Sequence, residues 1–266
     1  MKTVELKFRF QGASAVGYLH KVSNELPGRD IRPCVVVCPG GGYSFISDRE
    51  NEPVAFALFS AGYQVFVLKY STQAHAKGLT PLLELSELVS TVRINAAEFH
   101  VDPDKIAVMG FSAGGHLAAS LGTLWRHESL LHKLPDSSAF NQPNALILCY
   151  PVITAGEFAH EMSLDYVSGG DEELRALLSL ENRVSGDTPP TFIWHTCEDA
   201  AVPIENSLLF MDSLRKAGVP FEAHVFQKGP HGLSLCTAEV NTQDASAAPW
   251  FSLCLAWLGD LFDFQP

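Results

Sequence analysis

The sequence predicts an α/β fold: a mostly parallel, doubly wound sheet of about eight strands, with helices on both faces and an antiparallel hairpin at the N-terminus. Short, wholly apolar runs recur between longer segments in which apolar residues follow a helical spacing. One such run, residues 106–109, leads directly into Gly110-Phe111-Ser112-Ala113-Gly114 and then into small, helix-favouring residues. The first residues instead alternate polar and apolar side chains, which indicates a strand with one exposed face.

The individual elements follow from hydrophobic periodicity and from the positions of proline and glycine. The expected strands are residues 3–10, 14–20, 34–38, 63–70, the run that ends at residue 109, and residues 145–150, 191–196 and 221–226, with a turn at residues 11–13. The expected helices are residues 51–60, 81 to about 99, 113 to about 125, 204–217 and 247–262. Because strands alternate with helices, right-handed crossovers should join the parallel strands.

Residues 154–188 interrupt this alternation. The segment is irregular and polar apart from one short helix expected near residues 172–180, and we expect it to form a small cap rather than core. The chain shows neither a linker nor an internal repeat. Residues 1–266 are therefore interpreted as a single domain.

Composition restricts the class of protein and its partners. Hydrophobic residues make up 47% of the chain and charged residues 18%, which allows a large core. The formal net charge of -12 argues against nucleic acid and membrane surfaces as partners, and a small-molecule ester is the expected one. An alternating N-terminus does not resemble a signal peptide, so a cytoplasmic location is expected. Association into a homodimer is left as an open alternative.

The six cysteines, at positions 34, 38, 149, 197, 236 and 254, form no Cys-x-x-Cys pair. Most lie within apolar strand or helix patterns, which indicates buried free thiols rather than a disulfide framework or a cysteine metal site. The histidines show no His-x-x-x-His spacing of the kind that binds zinc. We therefore expect chemistry that uses neither a metal nor an organic cofactor.

The segment Gly110-Phe111-Ser112-Ala113-Gly114 places a serine on a tight turn between a strand and a helix. Glycines on either side let the strand and the helix approach closely while the serine backbone takes a strained conformation. The turn lifts the hydroxyl clear of the sheet and puts it at a helix N-terminus, where negative charge is stabilised. Ser112 is therefore the predicted nucleophile.

A serine hydroxyl needs a base, and the usual base is a histidine oriented by a carboxylate. His231 lies in Lys228-Gly229-Pro230-His231-Gly232, a loop after the last strand that suits presentation of an imidazole at the end of the sheet. It is the predicted base. His116, one helical turn after Ser112, is the main rival, although its place on an inward-facing helix favours packing or a local hydrogen bond.

The carboxylate is expected between the serine and the histidine in chain order. Strand 191–196 is followed by Cys197-Glu198-Asp199, and both acidic residues qualify by location. Asp199 is favoured because its shorter side chain, further round the loop, suits a rigid hydrogen bond to an imidazole. Glu198 stays open as the alternative.

Gly40-Gly41-Gly42 follows a buried strand and suits either a phosphate loop, an oxyanion hole or a purely structural turn. The residues that follow, Tyr43-Ser44-Phe45, match neither the Gly-Lys-Ser/Thr of a nucleotide phosphate loop nor the Gly-x-Gly-x-x-Gly of a dinucleotide site. The backbone N–H groups of Gly41, Gly42 and Ala113 are instead predicted to face the carbonyl oxygen of an acyl substrate.

Five motifs together resemble the α/β-hydrolase superfamily. They are Pro39-Gly40-Gly41-Gly42-Tyr43, residues 110–118, Tyr150-Pro151-Val152, residues 199–203 and His231-Gly232. Within the superfamily the chain is most similar to the bacterial carbohydrate esterase and acetyl-esterase group, relatives of the hormone-sensitive-lipase-like esterases. It departs from the latter at Pro39, where those enzymes have a histidine.

The resemblance, which covers roughly residues 30–264, implies a function and a set of site residues. It implies an α/β-hydrolase fold, with Ser112, Asp199 and His231 as a catalytic triad and the predicted N–H groups as the oxyanion hole. The expected activity is hydrolysis of small carboxylic esters, in particular acetyl esters of sugars or oligosaccharides, through an acyl-enzyme. The alternatives are a general short-chain carboxylesterase or lipase-like enzyme, an amide hydrolase, and a non-catalytic ligand-binding relative.

The substrate pocket is expected to have aromatic walls and limited room for the acyl group. Candidates for its lining are Tyr43, Ser44 and Phe111. Polar residues of segment 154–188 are candidates to face a sugar alcohol, namely Glu157, Asp165 and Ser168.

Overall fold

The computed structural model describes residues 1–8, 12–134 and 140–265. Its strands are β1 (Lys2–Lys7), β2 (Ser14–Leu19), β3 (Arg32–Cys38), β4 (Gln64–Lys69), β5 (Val101–Phe111), β6 (Ala145–Cys149), β7 (Thr191–Thr196) and β8 (Phe221–Phe226). Within the described ranges these form one eight-stranded sheet in the order β1-β2-β4-β3-β5-β6-β7-β8. Strands β3 to β8 pair in parallel with one another, whereas β2 is antiparallel to both β1 and β4.

The predicted α/β class and the N-terminal antiparallel hairpin are confirmed. In the hairpin, Lys2 pairs with Leu19 and Lys7 pairs with Ser14. The predicted end of the first strand at residues 9–10 and the turn residue 11 lie outside the described residues. Strands β7 and β8 have the predicted bounds, because β7 is a buried run and β8 contains Phe221, Val225 and Phe226, and turn residues follow both strands.

The helices of the described ranges are α1 (Glu52–Ser60), α2 (Thr80–Ile94), α3 (Ala96–Phe99), α4 (Ala113–Leu124), α5 (Glu128–Leu131), α6 (Glu161–Ser168), α7 (Glu172–Leu177), α8 (Glu205–Ala217) and α9 (Trp250–Phe262). The prediction of a single helix from residue 81 to about residue 99 is wrong, since α2 ends at Ile94 and α3 begins at Ala96. The Asn95 side-chain amide donates to the Thr91 carbonyl at 2.8 Å, a local bond that competes with the helical backbone pattern.

The two faces of the sheet bury separate apolar layers, and β3 shows how the sequence divides between them. Cys34, Val36 and Cys38 point into the layer that holds α2 and α4, whereas Val35 and Val37 point into the layer that holds α1 and α9. Side chains of a strand alternate between its faces, so a fully apolar run such as this one fills both layers. The sheet is therefore covered on both faces along its parallel part.

Segment 154–188 is more regular than predicted. The short helix expected near residues 172–180 appears as α7, but α6 was missed, because eight residues show little more than two turns of periodicity. Leu164, Val167, Leu178 and Leu180 are buried in the layer that holds α2 and α4. The expectation that this segment contributes nothing to the core is therefore wrong, since apolar residues three apart, as in α6, share one helix face.

The carboxyl ends of the parallel strands bring three loops to one edge of the sheet. The glycine-rich loop follows β3, Ser112 follows β5, and Asp199 lies just after β7. In parallel sheets this edge is where ligands bind. None of the helices in the described part of the chain is long and apolar enough to cross a membrane. All six cysteines are free, and Cys197 alone among them is exposed.

Candidate active site

Ser112 occupies a strained turn between β5 and α4. Its backbone has φ 54° and ψ -118°, a region that side chains other than glycine rarely adopt. A Cβ at Gly110 would lie 2.0 Å from the Gly114 carbonyl oxygen, and one at Gly114 would lie 2.1 Å from the Cys38 carbonyl oxygen. Both glycines are therefore required by close backbone approach, which is the physical basis of the Gly-x-Ser-x-Gly pattern.

A continuous hydrogen-bonded chain links the three residues implied as a triad. The distance between His231 Nε2 and Ser112 Oγ is 2.8 Å, and that between His231 Nδ1 and Asp199 Oδ2 is 2.6 Å. Because the ionised carboxylate only accepts, Nδ1 carries the proton and Nε2 is free to accept from the Ser112 hydroxyl. The structure thus brings these residues together from three separate loops in the geometry of a nucleophile, a base and an orienting acid.

Asp199 accepts hydrogen bonds through both of its carboxylate oxygens. Its Oδ1 accepts from the backbone N–H groups of Ala201 and Val202 at 3.0 and 2.9 Å, and its Oδ2 accepts from His231 and His195. Burial opposes ionisation, but the hydrogen bonds from the two histidines outweigh it, so the pKa of Asp199 lies below its ordinary value. The carboxylate therefore carries a fixed negative charge behind the imidazole.

His195 is the part of this cluster that sequence reasoning missed. Its Nε2 lies 3.2 Å from Asp199 Oδ2 and 3.0 Å from the Val202 carbonyl oxygen, so this nitrogen is the donor. Its Nδ1 then accepts from the Ser207 hydroxyl at 2.7 Å. His195 is completely buried in β7, a strand whose sequence, Thr-Phe-Ile-Trp-His-Thr, does not show that the imidazole has a carboxylate partner. Its spacing of four residues before Asp199 was the available signal.

Glu198 lies apart from the imidazole of His231. Its side chain is exposed, and Oε2 accepts from the Gly229 backbone N–H at 3.3 Å. The geometry therefore favours Asp199 over Glu198 as the orienting carboxylate. The longer Glu198 side chain instead braces the loop that carries His231.

His116, the rival base, is buried away from the Ser112 hydroxyl. Its Nε2 lies 3.1 Å from the Leu178 carbonyl oxygen and must donate to it, so its Nδ1 accepts from the Tyr43 hydroxyl at 2.9 Å. Burial lowers the pKa of His116 to about 4, which keeps the ring neutral. Both ring nitrogens are occupied, and His116 acts as a link between α4, Tyr43 and the segment after α7.

The glycine-rich loop presents its backbone toward Ser112. Gly41 has φ 126° and Gly42 has φ 63°, and a Cβ at Gly41 would lie 2.1 Å from the Phe45 carbonyl oxygen. The N–H groups of Gly41, Gly42 and Ala113 have no acceptor among the residues that the structure describes. These three donors are thus available to a ligand oxygen, as the oxyanion-hole prediction requires.

Glu50 is a second buried carboxylate that the sequence did not reveal. Its Oε2 accepts from the Gly40 backbone N–H at 2.8 Å, and its Oε1 accepts from the Tyr150 hydroxyl at 2.6 Å. The same hydroxyl accepts from the Ser234 backbone N–H at 2.9 Å, three residues after His231. Glu50 and Tyr150 together therefore join the glycine-rich loop to the loop that carries His231. A short 3₁₀ helix, Asp48–Glu50, holds it in place.

A cavity of about 180 Å³ opens beside Ser112 and His231. Phe45, His160 and Met162 form part of its wall, so segment 154–188 contributes two of the lining residues. The exposed fraction of Phe45 is 59% and that of Met162 is 47%, which leaves two apolar side chains at the cavity mouth. The site is thus small, partly apolar and open to solvent on one side.

The predicted pocket candidates lie elsewhere. Tyr43 and Phe111 are buried in the two apolar layers and do not line this cavity, because successive side chains of the loop and strand turn into the core. Ser44 donates to the Gly41 carbonyl oxygen at 3.1 Å and braces the glycine-rich loop. Phe45, the third residue after Gly42, takes the wall position instead.

The polar residues of segment 154–188 suggested as sugar contacts are also absent from the cavity wall. Asp165 pairs with Arg175, and Ser168 is buried. Glu157 is exposed, and His160 is the polar residue of the segment that lines the cavity. His160 Nδ1 lies 2.7 Å from the Ser163 hydroxyl, and burial, together with the nearby His231, lowers the pKa of this imidazole.

The sheet order, the strained serine turn and the hydrogen-bonded Ser–His–Asp chain at the carboxyl edge define an α/β-hydrolase of the esterase-like group. The chain belongs to the BD-FAE family, whose profile matches residues 26–214. The match includes the glycine-rich loop, Ser112 and Asp199, and ends before the loop of His231.

Two curated relatives and one solved structure agree with this assignment. The chain is 37% identical over 234 residues to endo-1,4-beta-xylanase B of Butyrivibrio fibrisolvens, covering 85% of this chain and 36% of that protein. It is 30% identical over 220 residues to an acetylxylan esterase of Xylanibacter ruminicola, covering 80% of this chain and 43% of that protein. The chain thus spans less than half the length of these two relatives.

The solved structure is an acetyl ester-xyloside bifunctional hydrolase from Caldicellulosiruptor lactoaceticus, at 39% identity and a TM-score of 0.82. The alignment covers 95% of this chain and 89% of that one. The likeness therefore extends over nearly the whole of both chains.

Proposed function

We propose that this chain hydrolyses short-acyl esters of sugars or oligosaccharides, acetyl esters above all, with Ser112 as nucleophile, His231 as base and Asp199 as the orienting acid. The observation that carries the proposal is the unbroken hydrogen-bonded chain from Ser112 Oγ through His231 to Asp199, beside an open cavity. The same chemistry requires no metal or organic cofactor.

In the first half of the reaction, Ser112 Oγ attacks the acyl carbon while His231 Nε2 takes its proton. The imidazolium that forms is stabilised by the ionised Asp199, which the four surrounding donors keep in one orientation. The imidazolium then gives its proton to the alcohol oxygen as the ester bond breaks. The products of this half are the free alcohol and an acyl group on Ser112.

The negative charge of the tetrahedral intermediate falls on the former carbonyl oxygen. The backbone N–H groups of Gly41, Gly42 and Ala113 are the donors available to it, and Ala113 adds the N-terminal end of α4. Glu50 accepts from the Gly40 N–H and so anchors the loop whose next two N–H groups have no acceptor among the described residues.

In the second half, water replaces the alcohol. His231 removes a proton from the water as it attacks the acyl carbon, and the same proton then returns to Ser112 Oγ as the acid is released. Atoms balance as ester plus water giving acid plus alcohol. The serine and histidine end in their starting protonation states.

Two observations support a short acyl group and a sugar alcohol. The cavity of about 180 Å³ lies below the roughly 300 Å³ at which pockets for drug-sized ligands begin. The exposed faces of Phe45 and Met162 at its mouth suit the apolar face of a sugar ring, and the acetylxylan esterase among the relatives acts on an acetylated polysaccharide. We include segment 154–188 as a small cap, because His160 and Met162 wall the cavity.

The test is hydrolysis of acetylated xylo-oligosaccharides and of p-nitrophenyl acetate by the wild-type chain and by Ser112→Ala. We expect acetate release by the wild type and a fall in kcat on the order of 10⁵–10⁶ for Ser112→Ala. An anilide of acetic acid, run in parallel, separates ester from amide hydrolysis. Failure to hydrolyse any of the acetyl esters would reject the proposal in favour of a ligand-binding relative.

A further inference from the structure

Arg49 lies in the wall of the cavity that holds Ser112 and His231. Within the described ranges, every other arginine has its guanidinium within bonding distance of a carboxylate or carbonyl oxygen. These arginines are Arg29, Arg32, Arg93, Arg126, Arg175, Arg183 and Arg215. Arg49 has no such acceptor among the residues that the structure describes. Its guanidinium therefore has its bonding capacity free for a ligand.

Neither neighbouring carboxylate, Asp48 or Glu50, forms an ion pair with Arg49 among the contacts of the described residues. Both oxygens of Glu50 are occupied by the Gly40 N–H and the Tyr150 hydroxyl. Asp48 lines a separate cavity together with Asn51 and Glu52. The guanidinium thus lies in the wall of the cavity without an ion pair to its neighbours in sequence.

The position of the guanidinium is set by the loop of His231. The Ser234 hydroxyl donates to the Arg49 carbonyl oxygen at 2.6 Å, which fixes the backbone. Gly232 has φ 78°, and a Cβ there would lie 3.1 Å from Arg49 Nη2. The guanidinium therefore lies against the backbone directly after His231, and Gly232 leaves the space for it.

An unpaired arginine in this place has a physical consequence for substrate choice. The chain carries a formal net charge of -12, whose field repels anions in general. A guanidinium offers a planar fork of donors that matches an oxyanion in two-point contact, and such charge-assisted bonds are stronger than neutral ones. A local cation of this kind favours substrates that carry an oxyanion near the scissile ester.

We propose that Arg49 binds an oxyanion on the alcohol part of the ester, so that the preferred substrates are acetyl esters of acidic sugars. The inference rests on the proposed function, because an acetyl group carries no charge and the oxyanion must then belong to the sugar. A uronate carboxylate and a sugar phosphate share this chemistry. The guanidinium would donate to either group in the same two-point contact.

The test compares substrates of equal size that differ in charge. One pair is the acetylated methyl glycoside of glucuronic acid and its neutral carboxamide, and a second pair is acetylated glucose 6-phosphate and acetylated glucose. For the wild type we expect kcat/KM to favour the anionic member by about tenfold or more, mainly through KM. Raising the salt concentration should reduce the preference, because Arg49 is solvent-exposed.

Arg49→Gln should bring the anionic-to-neutral ratio close to one, and Arg49→Lys should keep part of it as a point charge without the fork. Arg215→Gln, on the exposed surface of α8, is the matched control and should leave the ratio unchanged. A preference for only one pair assigns the oxyanion as carboxylate or as phosphate. Equal rates within both pairs, or a preference that survives Arg49→Gln, would overturn the inference while leaving Ser112-dependent ester hydrolysis intact.

Discussion

The Tyr150 hydroxyl donates a 2.6 Å hydrogen bond to the buried carboxylate of Glu50, and this bond joins the two loops that flank Ser112. Glu50 holds the glycine-rich loop through the Gly40 N–H, and Tyr150 holds the loop of His231 through the Ser234 N–H. The Tyr150 ring also packs edge-on against the His231 ring, with centroids 5.1 Å apart. One shared hydrogen-bond network thus positions both the glycine-rich loop and the loop of His231.

Glu50→Gln should impair turnover more than substrate binding. A carboxamide oxygen can still accept from the Gly40 N–H, but its NH₂ then faces the Tyr150 oxygen, so the charge-assisted bond that the Tyr150 hydroxyl donates to the carboxylate is lost. We expect kcat to fall about 10- to 100-fold with KM within about threefold of the wild type, since misplaced oxyanion donors act on the transition state. Steady-state kinetics on p-nitrophenyl acetate measures the split.

Glu52→Gln is the matched control, because Glu52 accepts from Tyr18 at 3.1 Å and lines a different cavity. It should retain both kcat and KM. Tyr150→Phe removes the link from the other side and should reproduce the loss in kcat. A Glu50→Gln enzyme with unchanged kcat would show that the network has no part in positioning.

His231→Ala and His116→Ala should have opposite effects. Loss of His231 removes the base and should abolish turnover with the thermal unfolding temperature nearly unchanged. Loss of His116 leaves the Tyr43 hydroxyl and the Leu178 carbonyl without their buried partner and should cost about 2–4 kcal/mol of stability. Thermal unfolding and ester hydrolysis of both variants check this, and a reversed pattern would assign the base role to His116.

Asp199→Asn should lower kcat on the order of 10⁴-fold, because an amide can no longer hold the imidazole in the required tautomer.

Asp199→Asn should also change how the stability of the protein depends on pH. The folded-state pKa of Asp199 is depressed, so its stabilisation is complete above the unfolded value of about 3.9 and is lost as the pH falls through the lower folded value. The melting-temperature gap between wild type and variant should therefore be full at pH 6 and narrow below about pH 4. A melting-temperature gap that is independent of pH would contradict a stabilising role for the ionised Asp199.

Acyl chain length should strongly affect the specificity constant. A cavity of about 180 Å³ accommodates an acetyl or butyryl group but not the added methylenes of an octanoyl group. On p-nitrophenyl esters, we expect kcat/KM to be highest for acetyl or butyryl and to fall steeply by about eight carbons. Faster octanoyl hydrolysis would instead indicate a lipase-like site with an open lid.

The parts of the site that sequence reasoning found are those with strong local requirements. Gly110 and Gly114 are required by backbone approach around Ser112, and His231 lies between a proline and a glycine in a loop after the last strand. Such positions leave a pattern in the neighbouring residues. The positions of the strands along the chain followed in the same way from short apolar runs, whereas their spatial order in the sheet was not predicted.

The parts that were missed depend on contacts between distant segments. Glu50 and Tyr150 are 100 residues apart, and nothing near either one shows that they share a hydrogen bond. Phe45 and Met162 meet at the cavity only because the glycine-rich loop and α6 fold over the same edge. Tyr43 follows the glycines directly in sequence, but the hydrogen bond from its hydroxyl to His116 holds it in the core and away from the cavity wall.

The most direct measurement of the central claim is covalent labelling with a fluorophosphonate probe, followed by peptide mapping. We expect one adduct per chain, on Ser112, because this hydroxyl alone is hydrogen-bonded to the His231–Asp199 pair within the described residues. Ser112→Ala should take up no label, and His231→Ala should be labelled far more slowly because its serine is not activated. A label on another residue, or undiminished ester hydrolysis by Ser112→Ala, would contradict the assignment of Ser112 as the nucleophile.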